Sequence, residues 1–205
     1  CRGLHQRCSL MGYTAIVDYG AGNLKSVVNA MDYLGLKVHI TAEAKELELA
    51  DAIILPGVGA FPKAWGRLCA AGVNTELRSQ ARKKPILGIC LGMQFLFDES
   101  AEIISTPGLG LIPGRVDWIK TECKLPHIGW NSLQLQNGCP IFRGLEEGSF
   151  VYFVHSFCGY ADDERDVSAR TDYGASIVAA VHRGNVYGCQ FHPEKSGEAG
   201  LQILR

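Results

Sequence analysis

Three side chains of this sequence have types and spacing that suit nucleophilic catalysis: Cys90, His192 and Glu194. Cys90 lies in "GICLGMQ" (88–94), between two glycines, where an apolar run ends and a helical pattern begins. Glycines allow a tight backbone turn and let neighbouring chain pass close by, as at the nucleophile elbow between a strand and a helix. The sequence therefore predicts an exposed, reactive thiol at Cys90. A buried core cysteine is the alternative, and the position alone leaves it open.

A thiol nucleophile needs a base, and the base works best when a third group orients it. His192 stands in "QFHPEKS" (190–196) at the end of a strand pattern, and Glu194 follows two residues later, within reach of the imidazole. His127 and His155 fit structural roles as well as pocket-lining ones. Zinc deaminases also contain an H-x-E sequence, but the P-C-x-x-C that completes their metal site does not follow here, so that class is excluded.

The first half of the chain alternates strand and helix patterns that must position these side chains. Strands are predicted at 14–18, 37–40, 52–55 and 84–89, and helices at 23–34, from about 61, and at 91–98. Such alternation predicts an α/β fold with a mostly parallel central sheet covered by helices on both faces. Ligands bind beyond the carboxyl ends of such strands. The glycine-bearing loops at 20–22, 56–59 and 88–92 fall there, and none matches a dinucleotide or P-loop motif.

The second half reads as short strands followed by one helix. Strands are predicted at 111–112, 116–119, 150–157, 167–170, 177–181 and 186–191, and a helix at 197–205. Their close spacing predicts antiparallel hairpins added to the sheet edge. No linker or repeat divides the chain, so one domain is predicted over 11–205. Residues 1–10 lack an apolar signal-peptide core and precede Met11, and we interpret them as a leader or tag outside the fold.

Composition excludes several functional classes. The 205 residues are 47% hydrophobic and carry a formal net charge of -1, so there is no basic footprint for nucleic acid. No apolar run reaches the roughly 18–20 residues of a membrane span. The eight cysteines include no C-x-x-C pair, which argues against a zinc ribbon or a thioredoxin motif. Without a secretory signal, reduced thiols in a cytoplasmic protein are predicted.

Five motifs occur in the order found in a known enzyme family. They are "PGVGAF" (56–61), "GICLGMQ" (88–94), "PHIGWN" (126–131), "YFVHSF" (152–157) and "QFHPEKS" (190–196). The chain from Met11 onward resembles the triad glutamine amidotransferases, and the five motifs together resemble the glutaminase subunit of imidazole glycerol phosphate synthase. Ile128 departs from the methionine that is commoner in this family. Phe157 departs from tyrosine and puts in doubt any hydrogen bond made through that hydroxyl.

The resemblance implies a role for each matching position. Cys90 would be the nucleophile, His192 the general base and acid, and Glu194 the carboxylate that orients the imidazole. Backbone N–H groups of the oxyanion hole are implied at Val58, Gly59 and Leu91. Glutamine-binding positions are implied at Gly57, Gln94, His155, Ser156 and Phe157.

The resemblance also implies the reaction and the partner. Glutamine would be hydrolysed to glutamate and ammonia through a glutamyl thioester, without a metal or organic cofactor. A separate cyclase subunit, which is a (β/α)8 barrel, would form a heterodimer with the chain. It would use the ammonia to make imidazole glycerol phosphate and aminoimidazole carboxamide ribonucleotide in histidine biosynthesis.

Contacts with this partner are predicted at four residues in or beside the motifs: Trp130, Asn131, Tyr152 and Lys195. An aromatic side chain with polar and charged neighbours is typical of a protein interface. A core position is the alternative for Trp130. Two other functions stay open. One is a glutaminase that serves another synthase, such as one making pyridoxal phosphate or anthranilate. The other is a non-enzymatic, amidotransferase-like regulatory module.

Overall fold

The computed structural model describes residues 12–136 and 138–205, so the leader predicted at 1–10 lies outside the described residues. Strands and helices alternate up to residue 94. They are β1 (Thr14–Val17), α1 (Leu24–Tyr33), β2 (Val38–Thr41), α2 (Ala44–Leu49), β3 (Ala52–Gly57), α3 (Phe61–Ala70), α4 (Val73–Gln80), β4 (Ile86–Cys90) and α5 (Leu91–Gln94). The α1 helix begins where the Asn23 side chain accepts a hydrogen bond from the Ser26 N–H.

Strands dominate the rest of the chain. They are β5 (Phe97–Ser100), β6 (Thr106–Pro107), β7 (Ile112–Trp118), β8 (His127–Ser132), β9 (Gln134–Leu135), β10 (Phe150–His155), β11 (Phe157–Ala161), β12 (Val167–Asp172), β13 (Ser176–Arg183) and β14 (Val186–Cys189). A helix, α6 (Gly197–Leu204), follows, and short 3-10 turns lie at Pro140–Phe142, Glu164–Asp166 and Pro193–Lys195.

The main sheet has eight strands in the order β2-β1-β3-β4-β14-β13-β12-β9. The first five strands in that order run parallel, and β13, β12 and β9 continue the sheet in antiparallel pairs. This confirms the predicted α/β fold with a mostly parallel sheet and added antiparallel strands. Because β4 and β14 are parallel neighbours, the chain leaves both at the same edge of the sheet.

Helices cover both faces of the parallel region, because successive strand residues point to opposite sides. On one side, Val17 and Leu55 pack with residues of α2, α3 and α4. On the other, Ile16 and Ile54 pack with residues of α1 and with Leu204 of α6. None of the helices described is long and apolar enough to cross a membrane.

Two sequence predictions about the elements are wrong. The helix predicted at 91–98 ends at Gln94, and β5 follows almost at once. Phe95, Leu96 and Phe97 are fully buried, and a buried apolar run fits a strand as well as a helix.

The added strands do not all join the edge of the main sheet. Two separate sheets form, one from β10 and β8 and one in the order β11-β7-β5-β6. The single strand predicted at 150–157 is divided between these sheets, since β10 pairs with β8 and β11 pairs with β7. The break falls at Ser156, whose carbonyl accepts a hydrogen bond from the Ile119 N–H.

Candidate active site

Cys90 occupies a strained turn between β4 and α5. Its φ of 55° and ψ of -110° lie in a region that non-glycine residues rarely adopt, and among the described residues only Ile103 shares a positive φ without being glycine. Such strain persists only where surrounding contacts enforce it, and it concentrates at functional sites. The turn places Cys90 at the carboxyl edge of the main sheet. The prediction of an exposed thiol is wrong, because Cys90 is only 8% exposed and packs in an apolar cluster with Ile89 and Ile54.

The two flanking glycines allow close packing, and the positive φ falls on Cys90 itself. A Cβ atom on Gly92 would lie 1.8 Å from the Leu55 carbonyl oxygen, and one on Gly88 would lie 2.5 Å from the Gly92 carbonyl oxygen. The sequence suggested two reasons for these glycines, a tight backbone turn and the close approach of neighbouring chain. The structure supports the second reason. Gly92 lets α5 pack against β3, and Gly88 lets it pack against β4.

His192 and Glu194 reach the same edge of the sheet from β14. The His192 Nδ1 lies 2.8 Å from the Glu194 Oε1, and only 4% and 2% of these two side chains are exposed. A carboxylate accepts hydrogen bonds only, so Nδ1–H donates and Nε2 is the free imidazole nitrogen. The backbone also holds His192, because its N–H donates to the Tyr152 carbonyl and its own carbonyl accepts from the Ser196 hydroxyl.

The charge state of His192 follows from its neighbours. Burial opposes the charged imidazolium, but the interactions with Cys90 and Glu194 outweigh burial and raise the pKa of His192 to about 9. Within the described part of the chain, Nε2 makes no hydrogen bond of normal geometry. The imidazole therefore carries a proton at neutral pH.

A cavity of about 490 Å³ opens beside Cys90 and His192. Most of the predicted site residues line it: Cys90, His192, Val58, Gly59, Leu91, Gln94, His155, Ser156, Phe157 and Lys195. Glu194 does not line the cavity and lies behind His192. Gly57 is not a lining residue either, because it packs against α5, where an added Cβ would lie 2.9 Å from the Leu91 Cβ.

The loop after β3 meets the start of α5 at this cavity. Gly57 pairs in register with Cys90, so Val58 and Gly59 emerge directly beside the strained turn. Gly59 has a φ of 94°, which favours glycine. Leu91 is the first residue of α5, and the first N–H groups of a helix have no partner within it. Backbone donors from two segments therefore border the same space as the thiol.

The four predicted partner-contact residues differ in exposure. Trp130 is 56% exposed, with its ring 6.2 Å from that of Tyr152, so the alternative of a core tryptophan is wrong. Lys195 lines the cavity. The Asn131 amide nitrogen points into the protein, 2.7 Å from the Asp172 carbonyl oxygen. Contact of these residues with a partner stays a prediction.

Comparisons with known proteins extend over nearly the whole chain. The imidazole glycerol phosphate synthase subunit HisH of Bacillus cereus is 48% identical over 192 residues, which cover 93% of this chain and 91% of that protein. The subunit of the same name from Caldanaerobacter subterraneus subsp. tengcongensis is 47% identical over 191 residues, which cover 93% and 94% of the two chains. The family model described as class-I glutamine amidotransferase matches residues 15–205.

The chain belongs to the class-I glutamine amidotransferases, within the HisH family. This confirms the resemblance inferred from the five motifs. Two solved structures share the fold of this amidotransferase at low identity. A crystal structure of a glutamine amidotransferase has a TM-score of 0.75 at 21% identity and covers 94% of this chain and 96% of its own. The structure of PurLQS from Thermotoga maritima has a TM-score of 0.73 at 24% identity, with 94% and 95% of the two chains covered.

Some residues of the amidotransferase site were not predicted from the sequence. Glu102, Trp118, Pro126 and Val154 also line the cavity. Gln190 is fully buried, and its amide Nε2 lies 3.8 Å from the Cys90 Sγ. Gln190, Pro126 and Val154 stand inside quoted motifs, and this position was the available signal for them. Glu102 and Trp118 lie outside the five motifs.

Stability of this amidotransferase should depend on the protonation of His192. Because the pKa of His192 is about 9 in the folded chain against 6.5 ordinarily, the folded state binds this proton more tightly. The stabilisation is full below pH 6.5 and is lost as pH rises through 9, a total of about 3 kcal/mol. We expect Glu194→Gln, which removes one cause of the raised pKa, to be less stable than wild type by an amount that shrinks between pH 6.5 and 9. Urea unfolding at several pH values measures this, and a constant difference would contradict it.

Proposed function

We propose that the chain is the glutaminase subunit of an imidazole glycerol phosphate synthase. It hydrolyses glutamine to glutamate and ammonia through Cys90, His192 and Glu194, and it supplies the ammonia to a cyclase subunit. The observation that carries this proposal is the meeting, at one cavity, of a strained cysteine and a histidine whose Nδ1 is held by a buried carboxylate.

The chemistry follows from this arrangement. The Cys90 thiolate attacks the side-chain amide carbon of glutamine, and a C–S bond forms while the carbonyl oxygen becomes an oxyanion. Backbone N–H groups of Leu91 and of Val58 or Gly59 stabilise that oxyanion. The amide nitrogen takes a proton from His192 and leaves as ammonia. Neutral His192 then removes a proton from water, which hydrolyses the glutamyl thioester and frees the thiol.

The cavity has polar groups suited to the two ends of glutamine. The Gln94 Nε2 donates to the Phe157 carbonyl and to the Gln190 Oε1, each at 3.1 Å, which leaves the Gln94 Oε1 to accept from a ligand N–H. Glu102 adds a carboxylate among the lining residues. We assign the α-ammonium group of glutamine to Gln94 and Glu102, and its carboxylate to the segment of His155, Ser156 and Phe157. Gly57 supports the site indirectly, because it packs against Leu91 and Gly92 of α5.

The surface around the cavity suits a protein partner. Val58 and Trp118 line the cavity and are exposed, and Ile128 and Trp130 are exposed on β8, whose partner strand β10 contributes Val154 and His155 to the cavity. Exposed apolar clusters of this kind mark interaction sites. Trp130, Tyr152, Lys195 and the backbone around Asn131 are therefore proposed to contact the cyclase, a (β/α)8 barrel, in a heterodimer. The names of the curated relatives, which are synthase subunits, support such a partner.

The setting of the reaction is part of the proposal. No step above calls for a metal or an organic cofactor. The products of the assembled synthase would be imidazole glycerol phosphate and aminoimidazole carboxamide ribonucleotide, made in the cytoplasm. Free thiols at all six cysteines of the described part of the chain agree with a reducing compartment.

Ammonia release from glutamine tests the proposal. We expect the chain mixed with a cyclase and the cyclase substrate to form imidazole glycerol phosphate from glutamine, and the cyclase alone to form it only from ammonium salts. Mixing with pyridoxal phosphate synthase or anthranilate synthase partners is the control, and we expect no coupled product there. If a coupled product formed with one of those partners instead, the chain would belong to that synthase. If glutamine were hydrolysed in none of the mixtures, a regulatory module would be favoured.

A further inference from the structure

A series of hydrogen bonds connects the cavity wall at His155 and Phe157 to His127 and Asn131, which do not line the cavity. The Asn131 Nδ2 lies 3.3 Å from the His127 Nε2, the His127 Nδ1 lies 3.2 Å from the His155 Nε2, and the His155 Nδ1 lies 2.8 Å from the Phe157 carbonyl oxygen. His127 and His155 are 2% and 6% exposed. Two buried imidazoles in direct contact are uncommon, because each has to satisfy both ring nitrogens.

Both imidazoles are neutral. Burial lowers the pKa of His127. Burial also lowers the pKa of His155, and although the hydrogen bond to the Phe157 carbonyl opposes it, the nearby His127 and His192 help to bring the pKa to about 4. A neutral imidazole has one N–H donor and one acceptor nitrogen, so each link of the series has a direction.

That direction is determined from both ends. The Phe157 carbonyl only accepts, so the His155 Nδ1 carries the proton, the His155 Nε2 accepts, and the His127 Nδ1 must donate. At the other end, the Asn131 Oδ1 accepts from the Ser132 N–H at 2.8 Å, which turns its Nδ2 toward the Asp172 carbonyl and the His127 Nε2. The two ends require the same tautomer of His127.

The series continues to the thiol through two buried amides. The Phe157 carbonyl also accepts from the Gln94 Nε2, whose second acceptor is the Gln190 Oε1. The Gln190 Nε2 must then face the Cys90 Sγ, at 3.8 Å. Reversing the Gln94 amide would set its oxygen against the Phe157 carbonyl oxygen, and reversing the Gln190 amide would set its nitrogen against the Gln94 nitrogen. Both arrangements are unfavourable in a buried site.

We propose that Asn131, His127 and His155 are positioning residues of the glutaminase site, which fix the Phe157 carbonyl and thereby orient the amides of Gln94 and Gln190 beside the Cys90 thiol. This inference rests on the proposed function for the identity of the reaction. Its physical content is that the imidazoles hold the Phe157 carbonyl in place, and that this acceptor orients the two amides so that the Gln190 Nε2 faces the sulfur.

Ring packing is the competing explanation for His127. Its ring stacks on Tyr173 and on Phe153, with centroids 4.0 Å and 4.7 Å apart. A test must therefore separate the hydrogen bonds from the packing. Substitution of His127 by asparagine or by glutamine makes this possible. The amide nitrogen of asparagine would take the position of the histidine Nδ1, and the amide nitrogen of glutamine would take the position of the Nε2. Both substitutions remove the ring, but only asparagine keeps the donor toward His155.

The experiment compares His127→Asn with His127→Gln. We expect His127→Asn to keep most of the wild-type rate, and His127→Gln to lower both kcat for glutamine hydrolysis and the alkylation rate of Cys90 by iodoacetamide about fivefold, as expected for loss of a buried hydrogen bond. The two melting temperatures should be alike, because both variants lose the ring. Equal rates in the two variants would overturn the proposal.

Two further features keep the test decisive. Alkylation of Cys90, followed by peptide mass spectrometry, needs no glutamine, so an enzyme that fails to release ammonia refutes the proposed function without deciding this inference. If the variants fail to fold, nitrogen-15 NMR of the wild-type imidazoles decides. Both His127 and His155 are expected as neutral Nδ1–H tautomers, and an Nε2–H tautomer in either residue would refute the directed chain.

Discussion

Replacing Cys90 with alanine is expected to abolish glutamine hydrolysis, with a loss of at least about 10⁴-fold, because the group that forms the thioester is removed. Synthesis from ammonium salts by the complete synthase should survive, since only the ammonia source is lost. Ammonia release and product formation measure the two activities. Cys123→Ala, which removes an exposed free cysteine, is the matched control and should behave as wild type.

A companion variant separates the chemistry of Cys90 from its backbone strain. Alanine keeps the unfavourable φ of 55°, whereas Cys90→Gly relieves it. We expect Cys90→Gly to be equally inactive but more stable than Cys90→Ala by about 1 kcal/mol. More than a few per cent of wild-type hydrolysis in either variant would remove Cys90 from the proposed mechanism.

The second large effect is expected on stability, from Gly92→Ala. An added Cβ would lie 1.8 Å from the Leu55 carbonyl oxygen, so α5 must move away from β3. Forcing atoms into a packed site costs about 1–3 kcal/mol and occasionally more, and backbone against backbone leaves little room to relax. We expect a loss near or above 3 kcal/mol in urea unfolding, together with loss of activity as Leu91 shifts.

Gly66→Ala is the control for that substitution. Gly66 lies in α3 and has nothing within 4 Å of an added Cβ. Alanine in a helix interior is more favourable than glycine, so this variant should be more stable by up to about 1 kcal/mol. If Gly92→Ala were as stable as Gly66→Ala, the packing of α5 against β3 would be looser than the contact between Gly92 and Leu55 indicates.

From the sequence alone, the alternation of the first half and the residue types of the proposed site could be predicted. Apolar periodicity is local, so β1, α1, β3 and β4 can be predicted from runs of neighbouring residues. The motifs around Cys90 and His192 are local as well. Their common position followed from one rule, that parallel strands direct their carboxyl ends to the same edge of the sheet.

Tertiary structure decided where a local pattern fits two outcomes. The apolar run from Phe95 to Phe97 suited a helix or a strand, but a turn follows α5, and pairing of β5 with β7 begins at Phe97. The run at 150–157 looked like one strand, and two different partners divided it at Ser156.

The amide and imidazole chain was hidden from the sequence for the same physical reason. Gln94 and Gln190 are 96 positions apart, and His127 and His155 are 28 apart. Whether an amide nitrogen or oxygen faces a neighbour depends on acceptors that the folded backbone supplies, such as the Phe157 carbonyl. Residue types were visible in the sequence, but the direction of each hydrogen bond exists only once the distant segments are packed together.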